Sequence, residues 1–332
     1  MVALGKYRSN MLEVALQALA CVFVFLLMAI PGYMLKKFNK LSDEGVNTLS
    51  FVLSWIAQPF LVLNVFVGKQ FNSSESVDLI ICLAVSFMAV LVSFALAYLA
   101  FNVFYKNDDA RCRGSHISSA TFMNAGFLGI PLISMLMGSN SSAMVYSAIY
   151  LTAFNISFWT IGMYVSSGDK TYVSLKNLLN PTFIALAIGF VLFFTGASME
   201  IPDWLANGIS LMGNMATPLC VIVFGAILAD NKWSEIFRGG RSWLATLLKL
   251  IVSPLVVLAL LILLGIDGTI IKVVMLLTMM PTASLCLAMA KLYGGDVKGS
   301  LKVQLATTLL CMATVPLLWG LIELLVQVGW IV

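Results

Sequence analysis

The chain has 332 residues, of which 61% are hydrophobic and only 10% are charged. A water-soluble domain has about 25% charged and 45–50% apolar residues, so this composition excludes a protein with an ordinary polar surface. The formal net charge of +4 is small and lies in loops, which argues against nucleic acid as a partner. The surplus apolar surface must face a lipid bilayer, and the sequence predicts an integral membrane protein.

Apolar segments of membrane-crossing length follow one another along the whole chain. We expect ten of them to be α-helices, because an open strand or loop leaves backbone groups unsatisfied in lipid. The predicted spans cover residues 11–35, 45–67, 77–104, 115–138, 142–166, 181–198, 204–229, 242–264, 268–292 and 299–326. Lys6 and Arg8 precede the first run as in a signal peptide, but the run is too long for the apolar core of one.

Lysine and arginine concentrate in alternate loops, which gives an orientation. The connections after spans 1, 3, 5, 7 and 9 hold Lys36, Lys37, Lys40, Lys106, Arg111, Arg113, Lys170, Lys176, Lys232, Arg238, Arg241, Lys291 and Lys298. The other connections hold one basic residue, Lys69. Basic loops stay in the cytoplasm, so we expect a multi-pass protein of the plasma (inner) membrane with both termini outside the cytoplasm.

The two halves of the chain resemble each other. Ala57-Gln58-Pro59 in span 2 matches Ala216-Thr217-Pro218 in span 7, and the two prolines stand 159 positions apart. Trp159 and Trp319 are 160 positions apart. We therefore predict a five-helix repeat over residues 1–166, a short cytoplasmic linker over 167–180 and a second repeat over 181–332. Because five spans are an odd number, the copies have opposite orientations, as in many secondary transporters.

Spans 4 and 9 carry helix-breaking residues near their centres. Span 4 contains Asn124, Gly126, Gly129 and Pro131, and span 9 contains Pro281, Thr282 and Ser284. Proline removes a backbone donor and glycine eases unwinding, so both spans are predicted to be broken, with new half-helices beginning near Pro131 and near Pro281. The N-terminus of each half-helix offers free N–H groups to an anion. If the two spans cross, these seven residues form a carboxylate site; a simple proline kink is the alternative for either span alone.

Five other polar residues lie in apolar stretches. Asn64 and Tyr150 are further candidates for substrate contact, while Asn155, Gln304 and Thr308 are candidates for contact with a coupling ion, Na⁺ or H⁺. Hydrogen bonding between helices is the alternative for each. We expect no catalytic residues, no cofactor and no metal site, because the six cysteines include no CxxC pair.

Three isolated ionisable residues have ordinary interpretations. His116 is the one histidine, and its position at the cytoplasmic end of span 4 predicts a solvated residue. Lys249 and Lys272 lie deepest in spans 8 and 9, and we expect both to extend toward the nearest membrane surface.

Three motifs together resemble the auxin efflux carrier family. They are Asn-Ala-Gly-Phe-Leu-Gly-Ile-Pro at 124–131, Asn-Met-Ala-Thr-Pro at 214–218 and Pro-Thr-Ala at 281–283, the last followed by Ala-Lys-Leu-Tyr-Gly-Gly-Asp at 290–296. The family includes bacterial malate permeases, malonate transporters and the plant auxin carriers. The resemblance implies a scaffold of helices 1, 2, 6 and 7, through which a homodimer can form, and a transport domain of helices 3, 4, 5, 8, 9 and 10 with helices 4 and 9 broken and crossed. The long cytosolic loop of the plant carriers is missing.

These observations predict a secondary active transporter of small organic anions such as malate, malonate or auxin-like acids. A channel or gradient-independent facilitator for organic anions is the alternative, although no charged ring or filter loop is visible. A membrane enzyme is less favoured, because the sequence has no HExxH or GxSxG motif. No GxxxxGK[ST] sequence occurs, which argues against ATP-driven transport.

Overall fold

The computed structural model describes residues 2–139, 141–173, 176 and 179–331, without the side chains of residues 2–15 and 22. These residues form α-helices joined by short loops, with no extended strand among them. The helices of the first half are α1 (Val2–Lys37), α2 (Asp43–Val52), α3 (Gln58–Phe66), α4 (Ser76–Phe104), α5 (Ala110–Thr121), α6 (Ile130–Met137), α7 (Ser142–Ser157) and α8 (Met163–Ser167). Those of the second half are α9 (Pro181–Thr195), α10 (Asp203–Asn214), α11 (Ala216–Ala229), α12 (Trp233–Ile236), α13 (Gly240–Leu247), α14 (Ser253–Leu263), α15 (Gly268–Thr278), α16 (Ser284–Tyr293) and α17 (Val297–Val328).

Seven helical segments of the described chain are long and apolar enough to cross a membrane. They are Leu16–Lys37, Asp43–Phe66, Ser73–Phe104, Ser142–Ser167, Asp203–Ala229, Gly240–Leu263 and Val297–Val328. Large apolar side chains such as Ile80, Leu263 and Leu317 remain exposed on them, as expected of a lipid-facing surface. The predicted all-helical membrane protein is thus confirmed, while the count of ten spans stays a prediction.

Predicted spans 4, 6 and 9 correspond to shorter helices. Spans 4 and 9 are divided into α5 with α6 and α15 with α16, respectively. The helix that matches span 6 ends at Thr195, because Gly196 adopts a left-handed conformation with φ of +77°, which glycine reaches without steric cost.

Several long helices contain a wider π-helical turn. These turns lie at Leu53–Ala57, Ala125–Gly129, Phe158–Gly162 and Leu248–Val252. Pro59 and Pro254 follow two of them in the first turn of the next helix. Proline has no N–H to donate, so the ladder of hydrogen bonds is rearranged just before it, and the helix continues with changed register.

Glycines permit the closest contacts between helices. A Cβ at Gly32 or Gly225 would overlap backbone atoms across the contact between α1 and α11, and a Cβ at Gly189 would overlap Phe66 between α9 and α3. Small residues allow such close packing where lipid provides no hydrophobic driving force. The contacts pair helices of the first half with helices of the second half.

Candidate functional site

The helix of span 4 is broken between Thr121 and Ala125. Phe122 is extended, with φ −91° and ψ 129°, and Asn124 caps the π-helical segment Ala125–Gly129, because its Oδ1 accepts from the N–H of Phe127 at 3.3 Å. The second half therefore begins at Asn124, and the prediction of a start near Pro131 was wrong. Pro131 lies in the first turn of α6, where a missing N–H is tolerated.

The helix of span 9 is broken between Thr278 and Ser284. The second half begins at Ser284, three residues beyond Pro281 and thus near that proline, as expected. Neighbouring groups hold the residue after the proline in a non-helical conformation. The N–H of Thr282 donates to Thr307 Oγ1 at 3.1 Å, and its hydroxyl donates to the carbonyl of Ser119 at 2.7 Å.

The two breaks pair with each other. Met123 and Thr282 form an isolated antiparallel bridge. The N–H of Asn124 donates to the Pro281 carbonyl at 2.7 Å, and the N–H of Ala283 donates to the Phe122 carbonyl at 3.1 Å. These bonds satisfy backbone groups that the helix breaks would otherwise leave bare inside the protein. We call this pair of segments, residues 122–124 and 281–283, the crossover.

One side of the crossover faces a cavity of about 1080 Å³. We call it the amide side, because the N–H groups that begin two half-helices lie there. The half-helices that begin at Ala125 and Ser284 both start on this cavity. The N–H groups of Ser284 and Leu285 find no acceptor among the residues that the structure describes. The lining includes uncharged polar side chains, among them Ser54, Gln58, Asn124, Asn155, Thr282, Ser284, Gln304 and Thr308. This part of the lining thus combines free backbone donors with uncharged polar groups.

The cavity extends to the protein surface. Its lining includes Asp43, Asp230 and Lys291, and the side chains of Asp43 and Asp230 are 87% and 52% exposed. Both carboxylates are paired with the Lys36 ammonium, at 2.5 and 3.3 Å. The crossover is therefore reached from solvent through a mouth whose negative charges are partly neutralised.

Lys249 closes the opposite side of the crossover. We call it the carbonyl side, because the last carbonyls of two half-helices lie there. The Lys249 side chain is 0% exposed, and its Nζ donates to the carbonyls of Thr121 at 3.4 Å and Thr278 at 3.2 Å. These residues end α5 and α15, so the ammonium lies at two negative helix ends. The expectation that Lys249 extends toward the membrane surface was wrong, because the two carbonyls supply the partners it needs inside.

Lys272 has a different environment. Its Nζ pairs with Glu323 at 2.8 Å, and the side chain is 23% exposed. The ammonium also lies 5.9 Å from the ring centre of Trp319. Lys272 is thus partly accessible and has a carboxylate partner, neither of which holds for Lys249 in the described structure.

The cavity collects seven of the twelve residues predicted for substrate or ion contact. These are Asn124, Gly126, Thr282, Ser284, Asn155, Gln304 and Thr308. Three of them are linked by hydrogen bonds, because Gln304 Nε2 donates to Ser284 Oγ at 3.0 Å and Thr308 Oγ1 donates to the carbonyl of Gln304 at 2.8 Å. Gln304 Oε1 is buried without a partner among the described residues.

The other five predicted residues do not line the cavity. Gly129 packs where a Cβ would overlap Leu277, Pro131 lies within α6, and Pro281 contributes only its carbonyl to the crossover. Tyr150 is fully buried beside the carbonyl side, with its hydroxyl 3.1 Å from Thr278 Oγ1. Asn64 is half-buried on α3. These positions support the breaks or the packing around them.

Several cavity residues escaped the sequence analysis, among them Gln58 and Ser54. Gln58 comes so close to the second half of span 4 that a Cβ at Gly126 would lie 2.7 Å from its Nε2. Ser54 lies one turn earlier. A signal was present for Gln58, because it precedes Pro59 in the repeated motif. Thr217, at the same place in the other copy of the motif, donates to the carbonyl of Phe127 at 3.1 Å, so both halves of the chain direct this position at the same π-helical segment.

An apolar helical protein with two interrupted helices paired around a cavity has the form of a membrane transporter, in which irregular backbone lines a cavity at membrane depth. A family model described as membrane transport protein matches residues 17–172 and again 169–319. The chain therefore belongs to this family, and the resemblance to the auxin efflux carriers is confirmed. The double match is compatible with two repeats.

Two archaeal proteins are similar over most of their lengths. An uncharacterized transporter of Methanocaldococcus jannaschii is 26% identical over 319 residues, which cover 91% of this chain and 98% of the relative. An uncharacterized transporter of Methanothermobacter thermautotrophicus is 25% identical over 298 residues, which cover 89% and 93%. Family and relatives thus agree on transport, and the chain is a multi-pass membrane protein.

Proposed function

We propose that the protein is a secondary active transporter of small organic anions that works by alternating access. The observation that carries this proposal is the convergence of two half-helix N-termini, with Asn124, Thr282 and Ser284, on one cavity that opens to one surface. Each N-terminus is equivalent to about half a positive charge, and its N–H groups suit a carboxylate. Mono- or dicarboxylates such as malate or malonate, or auxin-like acids, are the proposed substrates.

The polarity of the lining supports an anion over a cation. The acidic lining residues, Asp43 and Asp230, pair with Lys36 at the mouth, and the described lining at the crossover consists of uncharged polar groups. A carboxylate in front of Ser284 would meet donors and no like charge. Gln304 Oε1, which has no partner among the described residues, offers an acceptor to a substrate hydroxyl.

We further propose that transport is driven by H⁺ or by the membrane potential, with no Na⁺ at the two carbonyl ends. The carbonyls of Thr121 and Thr278 already accept hydrogen bonds from the Lys249 ammonium. This ammonium therefore occupies the position that a Na⁺ ion would need. Asn155, Gln304 and Thr308, the predicted contacts for a coupling ion, also line the cavity. Their side chains do not ionise, so in this proposal they contact the anion and hold neither Na⁺ nor H⁺.

The helix contacts support the proposed division of the chain. The tight pairs α1 with α11 and α3 with α9 belong to predicted spans 1, 7, 2 and 6, which form the proposed scaffold. The broken spans 4 and 9 belong with spans 3, 5, 8 and 10 in the proposed transport domain. Ten spans in two inverted repeats, a homodimer through the scaffold, and a plasma-membrane location with both termini outside complete the proposal.

Uptake by the purified protein in liposomes tests the function. Labelled malate or malonate is supplied with an imposed proton gradient, a sodium gradient or a membrane potential alone. We expect accumulation above the external concentration with a proton gradient or a potential, and the same uptake when sodium is absent. Uptake that only equilibrates the anion under every gradient would instead support the facilitator, and strict sodium dependence would overturn the proposed coupling.

A further inference from the structure

His116 lies in a buried position within α5. Its side chain is 1% exposed, which contradicts the expected solvated residue. Nδ1 lies 3.1 Å from the carbonyl of Cys112, one turn earlier on α5. Nε2 has no hydrogen-bond partner among the described residues. A histidine whose Nδ1 is held by a backbone carbonyl has the orientation that leaves Nε2 available to a metal ion.

Two further ligand groups lie close to the His116 ring. Cys112 precedes His116 by four residues on the same face of α5, and Asp296 caps the start of α17. The Cys112 Sγ, a His116 ring nitrogen and an Asp296 carboxylate oxygen all lie within 4.8 Å of one another. Asp296 Oδ2 is 3.8 Å from His116 Nε2. Zinc bonds of about 2.0–2.1 Å in a tetrahedron separate such atoms by about 3.4 Å, so small side-chain rotations suffice.

Asp296 is held in this position by contacts that do not use Oδ2. Its Oδ1 accepts from the N–H of Gly299 at 2.8 Å, and its own N–H donates to Ser115 Oγ on α5 at 3.1 Å. The second carboxylate oxygen thus remains directed at His116. Fixed ligands of this kind lower the cost of ordering a metal site.

Gly299 packs directly against both ligand groups. A Cβ built on Gly299 would overlap Asp296 Oδ2 and lie 2.6 Å from His116 Nε2. Only a residue without a side chain therefore lets these two groups keep their present positions. Gly299, His116 and Asp296 line a cavity of about 330 Å³, which provides an entry path, while Cys112 is not among the residues that line it.

We propose that Cys112, His116 and Asp296 bind a divalent transition-metal ion, with Zn²⁺ as the best match to one sulfur, one nitrogen and one oxygen ligand. Cys112 binds as the thiolate and releases its proton on binding. Three protein ligands leave one coordination position for water. The ion would connect α5, the first half of a broken helix, to the start of α17.

Basic residues in the same cavity repel a metal cation, but they do not prevent it from binding. Arg238, Arg241, Lys298 and Lys302 contribute to the lining. The guanidinium of Arg241 is neutralised by Asp108, with Nε 2.5 Å from the carboxylate. A bound Zn²⁺ with one thiolate and one carboxylate has no net charge. Because the metal-free site carries the single negative charge of Asp296, binding with loss of the Cys112 proton changes the charge of the site by only +1.

Metal titration of the full-length, tag-free protein in detergent tests the proposal. Co²⁺ serves as a spectroscopic probe, because thiolate coordination gives a charge-transfer absorption, and Zn²⁺ competition with a chromophoric chelator gives the affinity. We expect one equivalent of Co²⁺ to produce the thiolate band, Zn²⁺ to abolish it, and Zn²⁺ to raise the melting temperature. Because transport is not measured, failure here leaves the proposed function intact, and failure of anion uptake leaves the metal site intact.

Four variants locate the ion. Cys112→Ser should remove the thiolate band, and His116→Gln and Asp296→Asn should each weaken Zn²⁺ binding at least about 100-fold; Asn preserves the helix cap. Gly299→Ala should displace the His116 ring and the Asp296 carboxylate while keeping all three ligand residues. Cys21→Ser and Gly208→Ala, where a Cβ meets nothing within 4 Å, are matched controls and should bind normally.

Binding that survives in Cys112→Ser and His116→Gln, or the absence of a thiolate band in the unaltered protein, would overturn the proposal. Melting temperatures measured without metal separate a lost ligand from a lost fold. Cys112 is partly exposed, so its replacement by serine leaves the buried packing unchanged and keeps at least one variant folded.

Discussion

The amide and carbonyl sides of the crossover have opposite polarity and opposite accessibility. On the amide side, N–H groups and the side chains of Asn124 and Ser284 face a cavity open to solvent. On the carbonyl side, the two helix ends are closed by Lys249, which is fully buried. Breaking a helix creates charge of both signs. In this protein a lysine of the chain itself closes the carbonyl side, while the amide side stays open to the cavity.

The largest effect is expected from the replacement of Lys249, which closes the carbonyl side. Lys249→Met should lower transport at least about 100-fold and reduce the melting temperature, because two buried carbonyls lose their donor at about 1–3 kcal/mol each. Lys249→Arg, which keeps the charge, should retain part of the activity. The measurements are liposome uptake and thermal unfolding, with Lys272→Met as the matched control. Normal uptake by Lys249→Met would show that the carbonyl side needs no charge.

A smaller effect is expected on the amide side. Asn124→Ala should weaken anion binding about tenfold or more, since a hydrogen bond to a charged group contributes about 1.5–3 kcal/mol. It also loses the cap on Phe127, which costs about 1 kcal/mol of stability. Thermal shift with increasing malate or malonate measures the affinity. Asn64→Ala, outside the cavity, should bind normally; equal weakening in both variants would remove Asn124 from the site.

Ser284→Ala tests a single hydroxyl at the second N-terminus. The backbone N–H groups remain, so we expect anion affinity to fall only about threefold, in line with a neutral hydrogen bond of about 0.5–1.5 kcal/mol. The same titration applies, with Ser76→Ala at the exposed start of α4 as the control. A loss as large as that in Asn124→Ala would mean that the hydroxyl, and not the helix end, binds the anion.

The smallest change in transport should follow Tyr150→Phe. The hydroxyl contacts Thr278 on the carbonyl side, away from the cavity, so its loss should cost about 1 kcal/mol of stability and leave anion affinity unchanged. Thermal unfolding and ligand titration of the same samples separate the two quantities. A change in affinity without a change in stability would assign Tyr150 to the substrate after all.

The local sequence was enough to predict that two helices are broken. It was not enough to predict where each new half-helix begins, because that depends on residues far apart in the sequence. Pro131, Pro281 and the glycines act on their own helices, so broken spans 4 and 9 followed from local conformational preferences. The location of each new helix start depended on contacts such as Thr282 with Ser119, which no local pattern contains. The apolar content predicted a membrane protein, because burial in lipid is a property of the whole chain.

Long-range partners account for the residues that were misjudged. From the sequence, Lys249 was interpreted as an interfacial lysine, because its partners at the ends of α5 and α15 are known only from the fold. His116 was interpreted as a solvated histidine, because the sequence does not show that Asp296 lies beside it. In both cases the partner is a loop or a helix end far along the chain, and the side chain alone gives no indication of it.

The two backbone hydrogen bonds of the crossover have a mechanical consequence. They join the breaks as a short piece of β-ladder, in which a slip by one residue would reverse the direction of every side chain. Pulling the segments apart in this apolar interior would cost about 5 kcal/mol for each bond. In the proposed transport cycle, we therefore expect the two broken helices to move as one rigid body, with any sliding at its outer surfaces.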